Sequence, residues 1–158
     1  MLELILTRHA KSDWGDPGIA DHDRPLNGRG MRDAPRMAKR LAEAESGTAL
    51  QRIISSTALR ARTTAAEFGD ALGIEVELDH ELYLASEHTL LQKAAASNAA
   101  SVMLVAHNPG ITDLARSLSE GGIEHMPTCA VARFVWHVDD WSEAATRAAD
   151  EWSLDTPR

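Results

Sequence analysis

The sequence predicts an α/β fold, a three-layer sandwich in which a mostly parallel central sheet carries helices on both faces and an antiparallel strand closes one edge. Three observations predict it. Short apolar runs alternate with segments of helical period, polar residues stand directly after several of those runs, and the last two β-prone segments follow one another without a long helix between them. A chain of 158 residues fits a single domain spanning 1–158. Its 44% apolar and 25% charged residues are the balance of an ordinary globule.

Leu2 to Thr7 forms the first strand and stops at Arg8-His9, so two polar side chains are left at its carboxyl end. Residues 10–26 have no hydrophobic period but contain Gly15, Pro17, Gly18 and Pro25, a long loop of the kind that carries function. Asn27 is the expected N-cap of a helix toward Ala44, with Met31, Ala34, Ala38 and Leu41 as its stripe. Pro35 should kink that helix or mark where its regular part begins. Arg52 to Ser55 is a second strand. Ser56 and Thr57 offer hydroxyl caps to a helix with stripe Ala61, Ala65, Phe68 and Leu72, which ends at Gly73.

Ile74 to Leu78 alternates as a half-buried strand, Glu87 to Asn98 reads as a helix, and Val102 to Ala106 as a fully apolar strand. A helix from Gly110 to Leu118 follows, then a strand from Ala130 to Val138, a polar excursion over 139–151 expected to be mobile, and a return edge strand around Trp152-Ser153-Leu154. Trp14, Trp141 and Trp152 fit either core or surface. Cys129, the single cysteine, reads as a buried core-strand thiol.

Composition excludes several functions. Sixteen Lys and Arg against 24 Asp and Glu leave a net charge of −8, which disfavours binding to nucleic acid or to a membrane surface. No apolar run is long enough to cross a bilayer, and the opening residues lack the features of a secretion signal, so a cytoplasmic protein is expected.

Parallel sheets bind ligands at the carboxyl ends of their strands. Arg8-His9, Ser55-Ser56 with Arg60, and His107-Asn108 all stand there. Two imidazoles and two guanidiniums gathered in an acidic molecule call for an anion, and a phosphoryl group suits arginine forks, the amide donors of the helix after Thr57, and a neutral imidazole nucleophile. No Walker loop, dinucleotide loop or zinc spacing occurs, so neither a cofactor nor a metal is expected. His22, His80, His88, His125 and His137 read as ordinary histidines, His22 being the one nearest to function. Arg62 should face away from Arg60.

Four segments resemble the histidine phosphatase superfamily, the phosphoglycerate mutase-like fold, and most closely its SixA-type phosphohistidine phosphatase branch. They are Thr7-Arg8-His9-Ala10 with its continuation to Trp14, Arg24-Pro25-Leu26-Asn27-Gly28-Arg29-Gly30, Ser55 to Ala65 around Arg60, and Ala106-His107-Asn108-Pro109-Gly110. The resemblance implies that His9 attacks phosphorus, that Arg8, Arg60 and His107 hold the three equatorial oxygens, and that Ser12, Asn27 and Asn108 contact the substrate. Many members place a glutamate after the third strand as general acid. Glu81 is the nearest candidate here, standing earlier than the pattern, and it reads equally as a solvated loop residue. The short connection between third and fourth strands implies an open mouth. The expected partners are a phosphorylated protein, such as a histidine phosphotransfer domain, or a small phosphorylated metabolite, with the protein a monomer. A non-catalytic phosphate-binding module is the remaining alternative.

Overall fold

β1 (Leu2–Arg8) lies between two neighbours, and its residues Leu2 to Thr7 are all buried, because helices cover both of its faces. The computed structural model describes residues 1–44 and 49–158. β2 (Arg52–Ser55), β3 (Val76–Leu78), β4 (Ser101–Ala106), β5 (Val131–Trp136) and β6 (Glu151–Asp155) complete a six-stranded sheet in the order β3-β2-β4-β1-β5-β6. β1 to β4 run parallel. β5 is antiparallel to β1, and β6 is antiparallel to β5, so the expected return edge strand is present.

The two core layers follow from alternation along the strands. Leu4, Leu6, Leu104, Phe134 and Trp136 point to one face, where they pack on Leu90 and Ala94 of α3 (Glu87–Ala95) and on Ile111 and Leu114 of α4 (Gly110–Leu118). Ile5, Ile53, Met103 and Val105 point to the other, against Ala34, Met37 and Ala38 of α1 (Gly28–Glu43) and Ala61, Ala65 and Phe68 of α2 (Leu59–Leu72). A side chain such as Leu4 or Phe68 contributes about 1.5–3 kcal/mol when fully buried. With both faces filled this way, the register of β1 is fixed, and Arg8-His9 is carried past the core to the carboxyl edge.

Several expectations are corrected. The stripe of α1 is centred on Gly30, Ala34, Met37 and Ala38, and Met31 is 65% exposed. Gly30 allows this rotation, since a Cβ there would stand 2.2 Å from the carbonyl oxygen of Lys11. Pro35 sits inside α1, whose turns begin at Gly28, so it does not mark the start of the helix; it lies on the exposed side, where water can bond the carbonyl of Met31 that proline cannot serve. Neither Ser56 nor Thr57 caps α2, whose N-cap is Ala58. Their hydroxyls are engaged elsewhere: Ser56 with His107, Thr57 with His22 and His80.

β3 is shorter than expected and, being an edge strand, leaves Leu78 54% exposed. The polar stretch 139–151 is docked rather than mobile. It contains α5 (Trp141–Ala144), and the indole of buried Trp141 donates to the carbonyl of Ala99 at 2.7 Å. Trp14 and Trp152 are both surface residues. Cys129 is buried as expected, yet it precedes β5 in a turn with φ 62°, and burial pushes its thiol up to about 12.

Candidate active site

At the carboxyl edge of the sheet a cavity of about 340 Å3 is lined by Arg8, His9, Lys11, Ser12, Trp14, Asp21, Arg24, Arg60, Leu84, His107, Asn108 and Thr128. A larger hollow of about 600 Å3 lies at the opposite end of β1, but its charged lining groups, Glu3 and Arg133, are already paired with each other. The smaller cavity gathers both imidazoles and three guanidiniums.

His9 leaves the end of β1, where the amide of Cys129 bonds the carbonyls of both Arg8 and His9 and pins the strand end. Its Nδ1 lies 2.7 Å from the carbonyl oxygen of Ala10. A carbonyl only accepts, so the proton is on Nδ1 and Nε2 carries a lone pair. Burial, and then repulsion from His107, Arg60 and Arg8, pushes the imidazole down to about 3, against the raising effect of the Ala10 carbonyl. The ring is therefore neutral at physiological pH and needs no base to become a nucleophile.

His107 follows β4, with its ring centroid 5.2 Å from that of His9, and its Nε2 lies 2.7 Å from Ser56 Oγ. Ser56 Oγ also accepts from the amide of Ala58. The Nδ1 of His107 has no partner. Burial and the Arg60 charge push this imidazole down to about 3 as well.

Arg60 comes from the first turn of α2 and is 3% exposed. Both terminal nitrogens are held by Asp21, Nη1 donating to the backbone carbonyl at 2.8 Å and Nη2 to Oδ2 at 3.0 Å. Arg8 donates from Nη1 to the carbonyl of Met126. Arg24, buried on the long loop, donates to Ser12 Oγ and to Asp21 Oδ1, and its guanidinium lies 3.6 Å over the Trp14 ring. Tyr83 completes the surround, donating its hydroxyl to Asp21 Oδ2 at 2.6 Å and setting its ring edge-on to His107. With Tyr83, Arg24 and Arg60 all bonded to it, the Asp21 carboxyl lies well below the usual carboxylate range.

Among the described residues five buried polar side-chain atoms lack a partner, and four of them belong to cavity residues: Nε of Arg8, Arg24 and Arg60, and Nδ1 of His107. Leaving a buried polar atom unmatched costs about 1–3 kcal/mol. Three guanidiniums and two imidazoles around one small cavity suit an anion with several acceptor oxygens.

The structure thus brings together Arg8, His9, Arg60, His107, Asn108 and Ser12. It does not bring Asn27 or Glu81. Asn27 caps α1 by accepting from the Gly30 amide, and Glu81 is a solvent-exposed carboxylate 3.4 Å from Lys93, away from the cavity lining. Arg62 is exposed, as its spacing predicts. His22 stands beside the site, 2.8 Å from Thr57 Oγ1 and edge-on to Tyr83, without lining the cavity. Sequence reasoning missed Asp21, Arg24 and Tyr83. Arg24 lay within a recognised segment, and Tyr83 is the only tyrosine of the chain; nothing distinguishes Asp21 from the other aspartates of its loop.

An α/β sandwich with an anion cup at its strand ends, built on a neutral imidazole, defines a class of phosphoryl-handling proteins. Residues 4–83 match the histidine phosphatase superfamily (branch 1), and the chain belongs to that family. An uncharacterized chloroplastic protein of Arabidopsis thaliana is 31% identical over 96% of this chain and 75% of its own length. An uncharacterized protein of Mycobacterium leprae is 35% identical over 73% and 72%. Among solved structures, the protein of Agrobacterium tumefaciens assigned as phosphohistidine phosphatase SixA superposes with a TM-score of 0.76 at 31% identity, covering 97% of this chain and 94% of that one. A mycobacterial glucosyl-3-phosphoglycerate phosphatase shares the fold at a TM-score of 0.63 and 18% identity, over 98% and 97%. Within the superfamily the chain stands with the SixA-type branch, and its relatives support a phosphatase.

Proposed function

We propose that the protein is a metal-independent phosphatase that passes through a phosphohistidine on His9, and that its substrate is phosphohistidine displayed on another protein. One observation carries the chemistry. The His9 Nδ1 proton is committed to Ala10, which leaves Nε2 as a neutral nucleophile in a cavity that Arg8, Arg24, Arg60 and His107 also line. Nε2 forms a bond to phosphorus as the bond to the leaving group breaks, and Arg8, Arg60 and His107 hold the three equatorial oxygens. Water then attacks the phosphoenzyme, the P–N bond to His9 breaks, and inorganic phosphate departs. Charge spreads onto those oxygens in both steps, so preorganised donors lower both barriers.

Support for a phosphohistidine substrate comes from the acids. Glu81 is away from the cavity, and Asp21, the one carboxylate in its lining, is held ionised. A phosphate monoester calls for a strong proton donor to its leaving oxygen, whereas an imidazole that is already protonated leaves without one. Among the described residues no three His, Cys, Asp or Glu side chains gather as metal ligands.

The test is to incubate the protein with a phosphorylated histidine phosphotransfer domain and, separately, with a panel of phosphorylated metabolites, reading phosphate release and an acid-labile phosphoenzyme. Faster release from the domain, unchanged by a chelator, is expected. Faster release from a metabolite would replace the substrate class and keep the chemistry. No release from any substrate and no phosphoenzyme would leave only a phosphate-binding module.

A further inference from the structure

We propose that Arg24 is a further oxygen-binding guanidinium of the phosphoryl cup, and that Asp21 is the positioning residue that aims both Arg24 and Arg60 at it. The inference rests on the phosphoryl-transfer reading above and adds a binding role for Arg24 and a positioning role for Asp21, which that reading does not assign.

Arginines elsewhere in the molecule supply the comparison. Arg52 gives Nε and Nη2 to the two carboxylate oxygens of Glu77 and Nη1 to the carbonyl of Ser97. Arg133 gives Nε to Glu3. In both of these arginines Nε is paired with a carboxylate. The buried arginines of the cavity do the reverse. Arg24, 6% exposed, uses its terminal nitrogens on Ser12 and Asp21, lies over Trp14, and keeps Nε without a protein acceptor, as Arg60 does. A guanidinium fixed by its far end with its near edge unmatched is prepared for a bidentate oxyanion.

Asp21 makes that arrangement possible. Two guanidiniums sharing one small cavity repel, and a carboxylate bridging them offsets the repulsion while fixing their planes. Oδ1 takes Arg24, Oδ2 takes Arg60 and Tyr83, and the backbone carbonyl takes the second terminal nitrogen of Arg60. The same charge lies beside the bound phosphoryl group, so it opposes ground-state anion binding while supporting the geometry the transition state needs. The two roles of Asp21 therefore act on different kinetic constants.

The experiment uses the full chain with Arg24→Ala, Arg24→Gln and Asp21→Asn, measuring tungstate binding by calorimetry and steady-state turnover of the best substrate. Arg24→Ala should weaken tungstate binding and lower kcat/KM by about 10- to 100-fold, the scale of one charge-assisted hydrogen bond, and millimolar guanidinium, but not sodium chloride, should restore part of the turnover. Arg24→Gln, which keeps the packing over Trp14 better, serves should the alanine variant fold poorly. Asp21→Asn should lower kcat about tenfold or more, with KM unchanged or reduced. Tungstate binding and turnover unaffected by both Arg24 variants would overturn the arginine assignment, and a rise in kcat for Asp21→Asn would show the carboxylate to be a competitor. Failure of the wild-type protein to bind tungstate at all would remove the cup itself, a result distinct from either.

Discussion

The two ends of β1 hold buried polar groups in opposite conditions. At the amino end Glu3 is wholly buried, and both carboxylate oxygens are matched, one accepting from Ser101 Oγ at 2.6 Å and the other from Arg133. At the carboxyl end Arg8 and His9 open a cup in which four buried nitrogens have no partner. Burial alone does not separate them. What separates them is satisfaction: a closed set of partners contributes to holding the sheet together, whereas an open set is kept at a cost in stability and is completed only by a ligand.

The largest effect expected from breaking this contrast is at His9. His9→Ala should lower turnover on the order of 10^6-fold, the scale of losing a covalent nucleophile, and abolish the acid-labile phosphoenzyme while the melting temperature holds. Retained phosphoenzyme in that variant would remove His9 from the chemistry. Next is Arg60→Ala, expected to raise the barrier by about 2.7–4 kcal/mol, a loss of about 10^2–10^3 in kcat; turnover like the wild type would place Arg60 on the structural side of the comparison.

Glu3→Ala should show the converse. Leaving Arg133 and Ser101 without their acceptor should lower stability by about 3 kcal/mol, read by urea unfolding, with kcat unchanged below the melting range. A catalytic defect without a stability change would contradict it.

A pH titration sharpens the same contrast. Both site imidazoles are pushed down to about 3 in the folded protein, while unfolded histidine protonates near 6.5. Between those values the unfolded chain binds more protons, so stability is full above about pH 6.5 and declines as the pH falls toward 3. The melting temperature should drop by about 2–4 °C for each kcal/mol lost. Saturating tungstate should shrink the drop, because a bound anion favours the charged imidazoles. A flat melting curve over this window would show that the two rings are not buried neutral.

The smallest effect concerns scaffolding. A Cβ on Gly110 would stand 1.9 Å from the carbonyl oxygen of Ala85, so Gly110→Ala should cost about 1–3 kcal/mol as overpacking, detectable as an earlier urea midpoint. An unchanged midpoint would mean that α4 can withdraw without loss.

Much of the molecule is legible in the sequence. β1 and β4 stand out because strands covered on both faces must be apolar throughout, and α4 because it is bounded by Gly110 and a clear stripe. Arg8, His9 and His107 are legible because they stand at or just past the end of a strand that the pattern locates, and Arg60 because it opens the helix that follows β2. Met31, Leu78 and 139–151 were misread for one reason: exposure at the border of a stripe, at a sheet edge or in a docked segment depends on what packs there, and composition does not record it. Asp21, Arg24 and Tyr83 come from irregular segments with no period to reveal their direction.

The order of apolar and polar residues along this chain by itself determined a parallel-rich sheet and the end of it that carries the imidazoles and guanidiniums, since alternation and strand termini are local properties. Only the tertiary structure decided which donors stay unmatched, which carboxylate bridges two arginines, and that Glu81 turns toward Lys93 instead of the cavity. Hydrogen-bond satisfaction is a property of groups distant in sequence, and it exists only after the chain has folded.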